Sequence, residues 1–272
     1  MRRRAGIFLL CFILMNINTA VSFSADEVVN NGMDITRPLT RLDVRYQVQE
    51  LPAPASGTNN ILTLRADRPF TLARKFKLST RLDMPFVVSN ASGPDNREGK
   101  VKAGLGDFLA QALLIYSPTQ RLAFAGGAQL LFPTAGTDEM GCGKYTILPT
   151  FGARMDMHEL SRGSFTAMVF RYNVDYAGSS NRNRISELQF APLVLVNLPG
   201  YWFVNLFPSP EIRYNFADER PGDKGRWFIP LDVMVGRMLS KTTVASLEVS
   251  VPIIKDYAVY DFKVEARVGF FF

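Results

Sequence analysis

The sequence predicts an all-β fold, a transmembrane antiparallel β-barrel of about twelve strands closed by pairing of the first strand with the last. Three observations carry this expectation: a final segment whose residues alternate strictly in polarity, recurrence of that alternation along the chain, and connections whose lengths sort by parity. Side chains of a strand point alternately to two faces, so one face can meet lipid while the other meets water.

The chain opens on a leader. Arg2, Arg3 and Arg4 precede an apolar run, Ile7 to Met15, and small or polar residues follow through Ser22, Ser24 and Ala25. This is the charged, hydrophobic and small-residue order of a secretory signal, and the run is far below the roughly 20 apolar residues a spanning helix needs. The expected organisation is a signal peptide at 1–24, a short periplasmic segment at 25–38 that forms no plug, and the barrel at 39–272. Removing three arginines and no acid lowers the net charge from +6 to +3. The basic balance is therefore partly a targeting feature, and no nucleic-acid partner is expected. Cys11 leaves with the signal, so Cys142 has no intramolecular partner and no disulfide framework is available.

The first strand, Leu42 to Gln49, sets Leu42, Val44, Tyr46 and Val48 against Asp43, Arg45, Gln47 and Gln49, with Arg41 extending the polar face. The second, around Ile61 to Phe70, sets Thr63, Arg65 and Asp67 against Leu62, Leu64 and Ala66. In the third, Lys77, Ser79, Arg81 and Asp83 oppose Phe76, Leu78, Leu82 and Met84. Further strands are expected near 104–117, 121–134, 144–157, 164–177, 185–198, 201–216, 226–239 and 242–254. Their polar faces carry Asp107, Gln111, Gln129, Arg154, Arg171, Glu187, Glu211, Arg213, Asp232 and Glu248. The segment 185–198 fits least, because Leu193 and Leu195 fall on its polar face. The last strand, 257–272, sets Asp261, Lys263, Glu265 and Arg267 against Tyr260, Phe262, Val264, Ala266, Val268, Phe270 and Phe272. Val264, Val268, Phe270 and Phe272 are read as a barrel-assembly signal addressed to the outer-membrane insertion machinery.

Odd-numbered connections are the long ones, from 51–60 and 89–103 to 217–225, and even-numbered ones are tight. Outer-membrane barrels sort their loops in this way, with short turns on the periplasmic side. The sixth long connection, near Lys255 and Asp256, is short and breaks the rule. Tyr201, Trp202 and Phe203, then Trp227 and Phe228, stand where an interfacial girdle needs aromatic rings. Pro149, Pro192, Pro208, Pro210, Pro230 and Pro252 fall inside strands although proline cannot donate to the ladder, which predicts bulges or wall defects.

At this point several segments are recognisable: TRPLTRLDVRYQ (36–47), LTLRADRPF (62–70), GLGDFLAQALL (104–114), GAQLLFPTAGTDEMGCGKY (127–145), SELQFAPL (186–193), PLDVMVGRML (230–239) and EVSVPIIKDYAVYDFKVEARVGFFF (248–272). Together they resemble the outer-membrane family named for the meta-cleavage pathway of phenol degradation, and Cys142 departs from that family's Gly-Thr-Gly-Lys loop. The resemblance implies an outer-membrane barrel of a Gram-negative envelope with a role in moving small, often aromatic or hydrophobic compounds.

Chemistry other than passage finds little support. His158, the only histidine, falls in an expected periplasmic turn, and Ser161 and Ser164 nearby supply no positioned base and orienter. An enzyme is therefore not expected, nor is a cofactor or metal, since lumen acids interleave with arginines and favour ion pairing. The expected lumen-facing residues are Arg41, Asp43, Arg45, Arg65, Asp67, Lys77, Arg81, Asp83, Glu211, Arg213, Asp232, Glu248, Asp261, Lys263, Glu265 and Arg267. Both signs are present, so strong ion selectivity is not predicted. Two readings remain: passive passage of a small solute through a barrel surrounded by outer-membrane lipid, or a non-conducting barrel that presents its loops.

Overall fold

The structure, a computed structural model, describes residues 30–53, 56–93, 96–218 and 222–272. The expected signal peptide lies outside them. Fourteen ladder segments run in chain order: β1 Arg41–Leu51, β2 Gly57–Ala73, β3 Phe76–Ser89, β4 Lys102–Leu105, β5 Phe108–Tyr116, β6 Leu122–Phe132, β7 Lys144–Asp156, β8 Phe165–Gly178, β9 Ser186–Asn197, β10 Trp202–Leu206, β11 Ile212–Asn215, β12 Trp227–Ser240, β13 Thr243–Lys255 and β14 Phe262–Phe271. They make twelve barrel strands, because β4 and β5 both pair with β3, and β10 and β11 both lie between β9 and β12.

Each strand pairs antiparallel with its sequence neighbour, and β1 closes on β14 from Arg41↔Phe271 to Glu50↔Phe262. Closure follows from the sequence because a one-residue slip would turn Arg41, Asp43, Arg45, Lys263, Glu265 and Arg267 toward lipid. Leu82, Phe151 and Leu231 are each at least half exposed on the outside of this closed cylinder. A soluble protein gains nothing from such a band, whereas a bilayer requires it together with a ladder that has no free edge. The chain is an outer-membrane β-barrel.

Aromatic rings belt the long-loop end, where Tyr214 touches Trp227 and Phe216 at centroid distances of 4.9 and 4.8 Å, and Tyr145 touches Tyr176 at 6.1 Å. At the short-turn end Phe76 stacks on Tyr116 at 4.9 Å, and Arg237 covers Trp202. Only part of each predicted girdle cluster belongs to a belt. Strand alternation sends Trp202 and Trp227 outward, while Phe203 and Phe228 are buried inside the barrel.

The end of the chain also departs from expectation. The last strand begins at Phe262, and residues 256–261 form the sixth outer connection. Tyr257 and Tyr260 turn inward onto Phe228, at 6.3 and 4.8 Å between rings, which holds this loop over the lumen.

Candidate functional site, a lumen with two walls

One wall of the lumen, formed by β1, β2, β3, β13 and β14, is built of ion pairs. In-facing positions recur every second residue, so charges on adjacent strands stand opposite one another and pair across the ladder. Asp67 receives Arg41 Nε at 2.5 Å and Arg81 Nε at 2.7 Å. Arg65 binds Asp83 through two hydrogen bonds of 2.7 and 2.6 Å. Arg45 pairs with Glu265, and Arg267 Nε lies 3.0 Å from Asp43 Oδ2. Lys263 gathers three carboxylates: Glu248 at 2.7 Å, Glu211 at 3.3 Å and Asp232 at 3.9 Å. Glu211 in turn holds Arg213 at 2.6 Å, and Arg213 lies 3.7 Å from Glu187.

The wall across from it, in the periplasmic half of β8, β9, β10 and β12, is apolar. Phe165, Ala167, Val169, Ala191, Leu193, Leu195, Phe203, Met234 and Met238 are all buried, and all of these but Val169 and Ala191 pack as one cluster with Val244 and Phe271. Leu195 is 0% and Phe203 1% exposed. These residues share the inward parity, since Phe165 pairs with Leu195, Ala167 with Leu193 and Val169 with Ala191, and the same register continues inward to Arg171 opposite Gln189. Leu193 and Leu195, which disturbed the alternation of this segment, face the lumen.

The amino-terminal segment corrects a second expectation, because residues 30–38 do not stay outside the barrel. They run across the lumen at its short-turn end. Met33 Sδ accepts from Arg267 Nη1 at 3.4 Å on the charged wall, while Asp34 Oδ2 lies 2.8 Å from Arg154 Nε on β7. Arg37 reaches Asp156 at 2.7 Å, and Gly32 offers its carbonyl to Arg41 at 2.5 Å. Gly32 has φ +72°, and a side chain there would strike the Arg41 guanidinium and the Phe271 ring. Met33 and Leu39 pack on the apolar cluster, and Ile35 points at Gly152.

Above this strap lies a central cavity of about 300 Å³. Eight cations and five carboxylates line it, an excess of three positive charges. Arg171 is the one whose role the sequence did not single out. Its Nε is buried without a hydrogen-bond acceptor, and the side chain lies where the central cavity meets a smaller apolar one bounded by Phe165, Val169, Ala191 and Leu193.

Most expected lumen residues come together here, including Arg41, Asp43, Arg45, Arg65, Arg81, Asp83, Glu211, Arg213, Glu248, Lys263, Glu265 and Arg267. Asp67 and Asp232 sit in the ion-pair network just behind them. Two do not join. Lys77 is exposed near the periplasmic rim, and Asp261 lies outside the last strand, where the outer loop pairs it with Lys255. Val264 is buried while Phe270 and Phe272 are exposed on the lipid side. His158 stands in the 157–164 turn, 3.5 Å from Asp156. On the outer loops Asp138 pairs with Arg182 and Glu139 with Lys102. Cys142 donates its backbone N–H to Asp107 at 2.6 Å, and burial pushes its thiol up to about 11.

No protein-family model matches the chain, and no curated protein does. Among solved structures it is similar to the NanC porin, with a TM-score of 0.54 and 10% identity over 85% of this chain and 98% of that one. The KdgM porin in complex with disordered oligogalacturonate aligns over 85% of this chain and 99% of that one at 11% identity, with a TM-score of 0.47. The translocator domain of the autotransporter NalP from Neisseria meningitidis covers 90% of this chain and 92% of that one at 11% identity, with a TM-score of 0.45. At such identity the likeness to the NanC porin establishes a shared barrel fold.

Proposed function

We propose that this barrel is a passive outer-membrane route for small molecules, and that its solutes include hydrophobic or aromatic ones. The observation that carries the reading is the divided lumen. A charged wall and an apolar wall bound a cavity of about 300 Å³, so a solute crossing it meets cationic groups on one side and a dry surface on the other. A barrel that served only as a scaffold would gain more stability from an interior packed to protein density than from an open cavity. The segment resemblance to the phenol-degradation transporter family supports the same solute class. The reading is non-enzymatic. It takes residues 1–24 as an export signal, and Val264, Val268, Phe270 and Phe272 as the terminal address for the insertion machinery.

Planar bilayers containing the purified barrel are expected to conduct, and cells expressing it to accumulate naphthalene faster than cells without it. A silent barrel that leaves liposomes impermeable to arabinose and cells no faster in naphthalene uptake would overturn the proposal. The strap of residues 30–38 favours a second reading, a non-conducting barrel whose lumen is filled for stability. Under it, variants of the strap change thermal stability and leave permeation at the background level.

A further inference from the structure

We infer that the wall between β9 and β12 is a lateral portal through which an uncharged hydrophobic solute moves between the lumen and the surrounding lipid. The inference rests on the passage reading above and adds the route.

The ladder is interrupted at this place. The register of β9 runs from Val194↔Leu206 on β10 to Phe190↔Ile212 on β11, so Ala191, Pro192 and Leu193 have no strand partner on that side. On the far flank β12 runs from Val233↔Leu206 to Phe228↔Arg213. Between those pairs, the bond from Phe207 N–H to the Asp232 carbonyl, 2.8 Å, is the one backbone hydrogen bond among the described residues that crosses from this segment to β12. Five residues, Phe207 to Glu211, stand where β9 offers three. The surplus is displaced inward, for Pro208, Ser209 and Pro210 line the central cavity beside Met33 and Ile35. Where a strand leaves the wall, its neighbours stand about 10 Å apart, two interstrand spacings, which admits a flat ring.

The sequence prevents closure. Pro192 and Pro230 lie on the two flanks, and Pro208 and Pro210 in the excursion, so none of the four can donate a ladder bond. Phe207 turns the chain inward with φ 51°, a left-handed conformation that is strained for a non-glycine residue. The gap is at mid-membrane depth. Leu206 is four residues from Trp202 of the periplasmic belt, and Ile212 is two residues from Tyr214 of the outer one.

The opening is apolar on its lipid side and along its β9 flank inside, while Asp232 faces inward from the β12 flank. Outside, Leu206 and Leu231 are exposed to lipid at 39% and 50%. Inside, the small cavity bounded by Phe165, Ala167, Ala191 and Leu193 also touches Pro208 and Pro210. A hydrophobic solute that has reached the lumen therefore need not cross the ion pairs of the other wall to leave. A charged or hydroxylated solute would lose its hydration at the gap and is held to the axial route.

The test uses the full chain in liposomes and a lipid-soluble aryl diazirine, which on illumination labels what it touches. Label is expected on Ala191, Leu193 and Pro208 as well as on lipid-facing Leu206 and Leu231, with at least tenfold less on Gln111 and Gln129 of the far lumen wall. Label confined to lipid-facing residues would overturn the portal. A closing variant, deletion of Pro208 and Ser209 with Pro210→Thr, restores an equal residue count between β9 and its neighbour. If it folds, judged by its heat-modifiable gel mobility, label at Ala191 is expected to fall at least fivefold; unchanged label would also overturn the portal. The wild-type experiment stands if the variant does not fold. Because the probe arrives through lipid, its result is independent of bilayer conductance, so the portal and the passage reading fail separately.

Discussion

The charged wall and the apolar wall of the lumen are held in place by different means. On the charged wall the carboxylates of β1, β2, β3, β13 and β14 find cations on neighbouring strands, as Asp67 does between Arg41 and Arg81, so the wall is braced by its own ladder. The apolar wall has no such pairs and is covered instead by a separate piece of chain, Met33 of the strap and Leu39 just after it. Charges brace a surface that stays open to a cavity, whereas an apolar lumen surface is stable only when something dry lies on it. An inner wall that requires a cover can exchange that cover for a solute.

The largest effect is expected from breaking the brace. Lys263→Met leaves Glu248 with no cation in pairing distance among the described residues, beside Asp232 and Glu211. Uncompensated buried charge of this kind costs about 3–5 kcal/mol. The thermal midpoint of the barrel in detergent micelles should fall accordingly, and a midpoint equal to wild type would show that the charged wall is not what holds the strands.

An intermediate effect is expected where the two walls are tied together. Asp34 accepts from Thr36 N–H at 2.8 Å and from its hydroxyl at 2.6 Å, and lies 2.8 Å from Arg154 Nε, so it anchors the strap to β7. Asp34→Ala should weaken that anchorage by less than the about 3–5 kcal/mol of a buried ion pair broken outright. Arg154 keeps Asp156, so the barrel itself should lose less. Single-channel conductance should rise as the strap lifts from the apolar wall. A conductance identical to wild type would mean that the strap is fixed, and that the apolar wall is simply a core.

The contrast also explains what could be read from the amino acids. β1 and β14 were legible as closing partners, with the lumen face of each from Leu42 to Gln49 and from Phe262 to Phe270, because that face is charged and the lipid face is not; their register, Leu42↔Phe270 through Gln49↔Lys263, is set by the fold. In β9 both faces are apolar from Phe190 to Val196, the alternation disappears there, and the periodicity that locates a strand cannot say which side faces in. The strap escaped detection for a related reason. Its anchors, Asp34 and Arg37, are ordinary in a short polar segment, and only the fold brings them to Arg154 and Asp156. The interruption at Phe207 to Glu211 did leave a trace, the proline spacing around it, although proline shows only that a ladder weakens and not that the chain turns inward.

The smallest effect on stability, and the sharpest test of the boundary between the walls, is expected at Arg171. It is a buried cation whose Nε has no acceptor, placed where the charged cavity meets the apolar one, and the other residues lining that cavity already hold two more positive than negative charges. Arg171→Gln removes a charge that has no ion pair among the described residues, so the folded barrel should change by no more than about 1 kcal/mol and in the stabilising direction. Permeation should respond instead. With salt at unequal concentration on the two sides of a planar bilayer, the reversal potential should move toward cation preference, because one of the cations facing the cavity is gone. A large loss of stability would show that Arg171 is satisfied within the brace. An unmoved reversal potential in a conducting barrel would place the ion path away from this junction, and the two walls would then serve separate solutes.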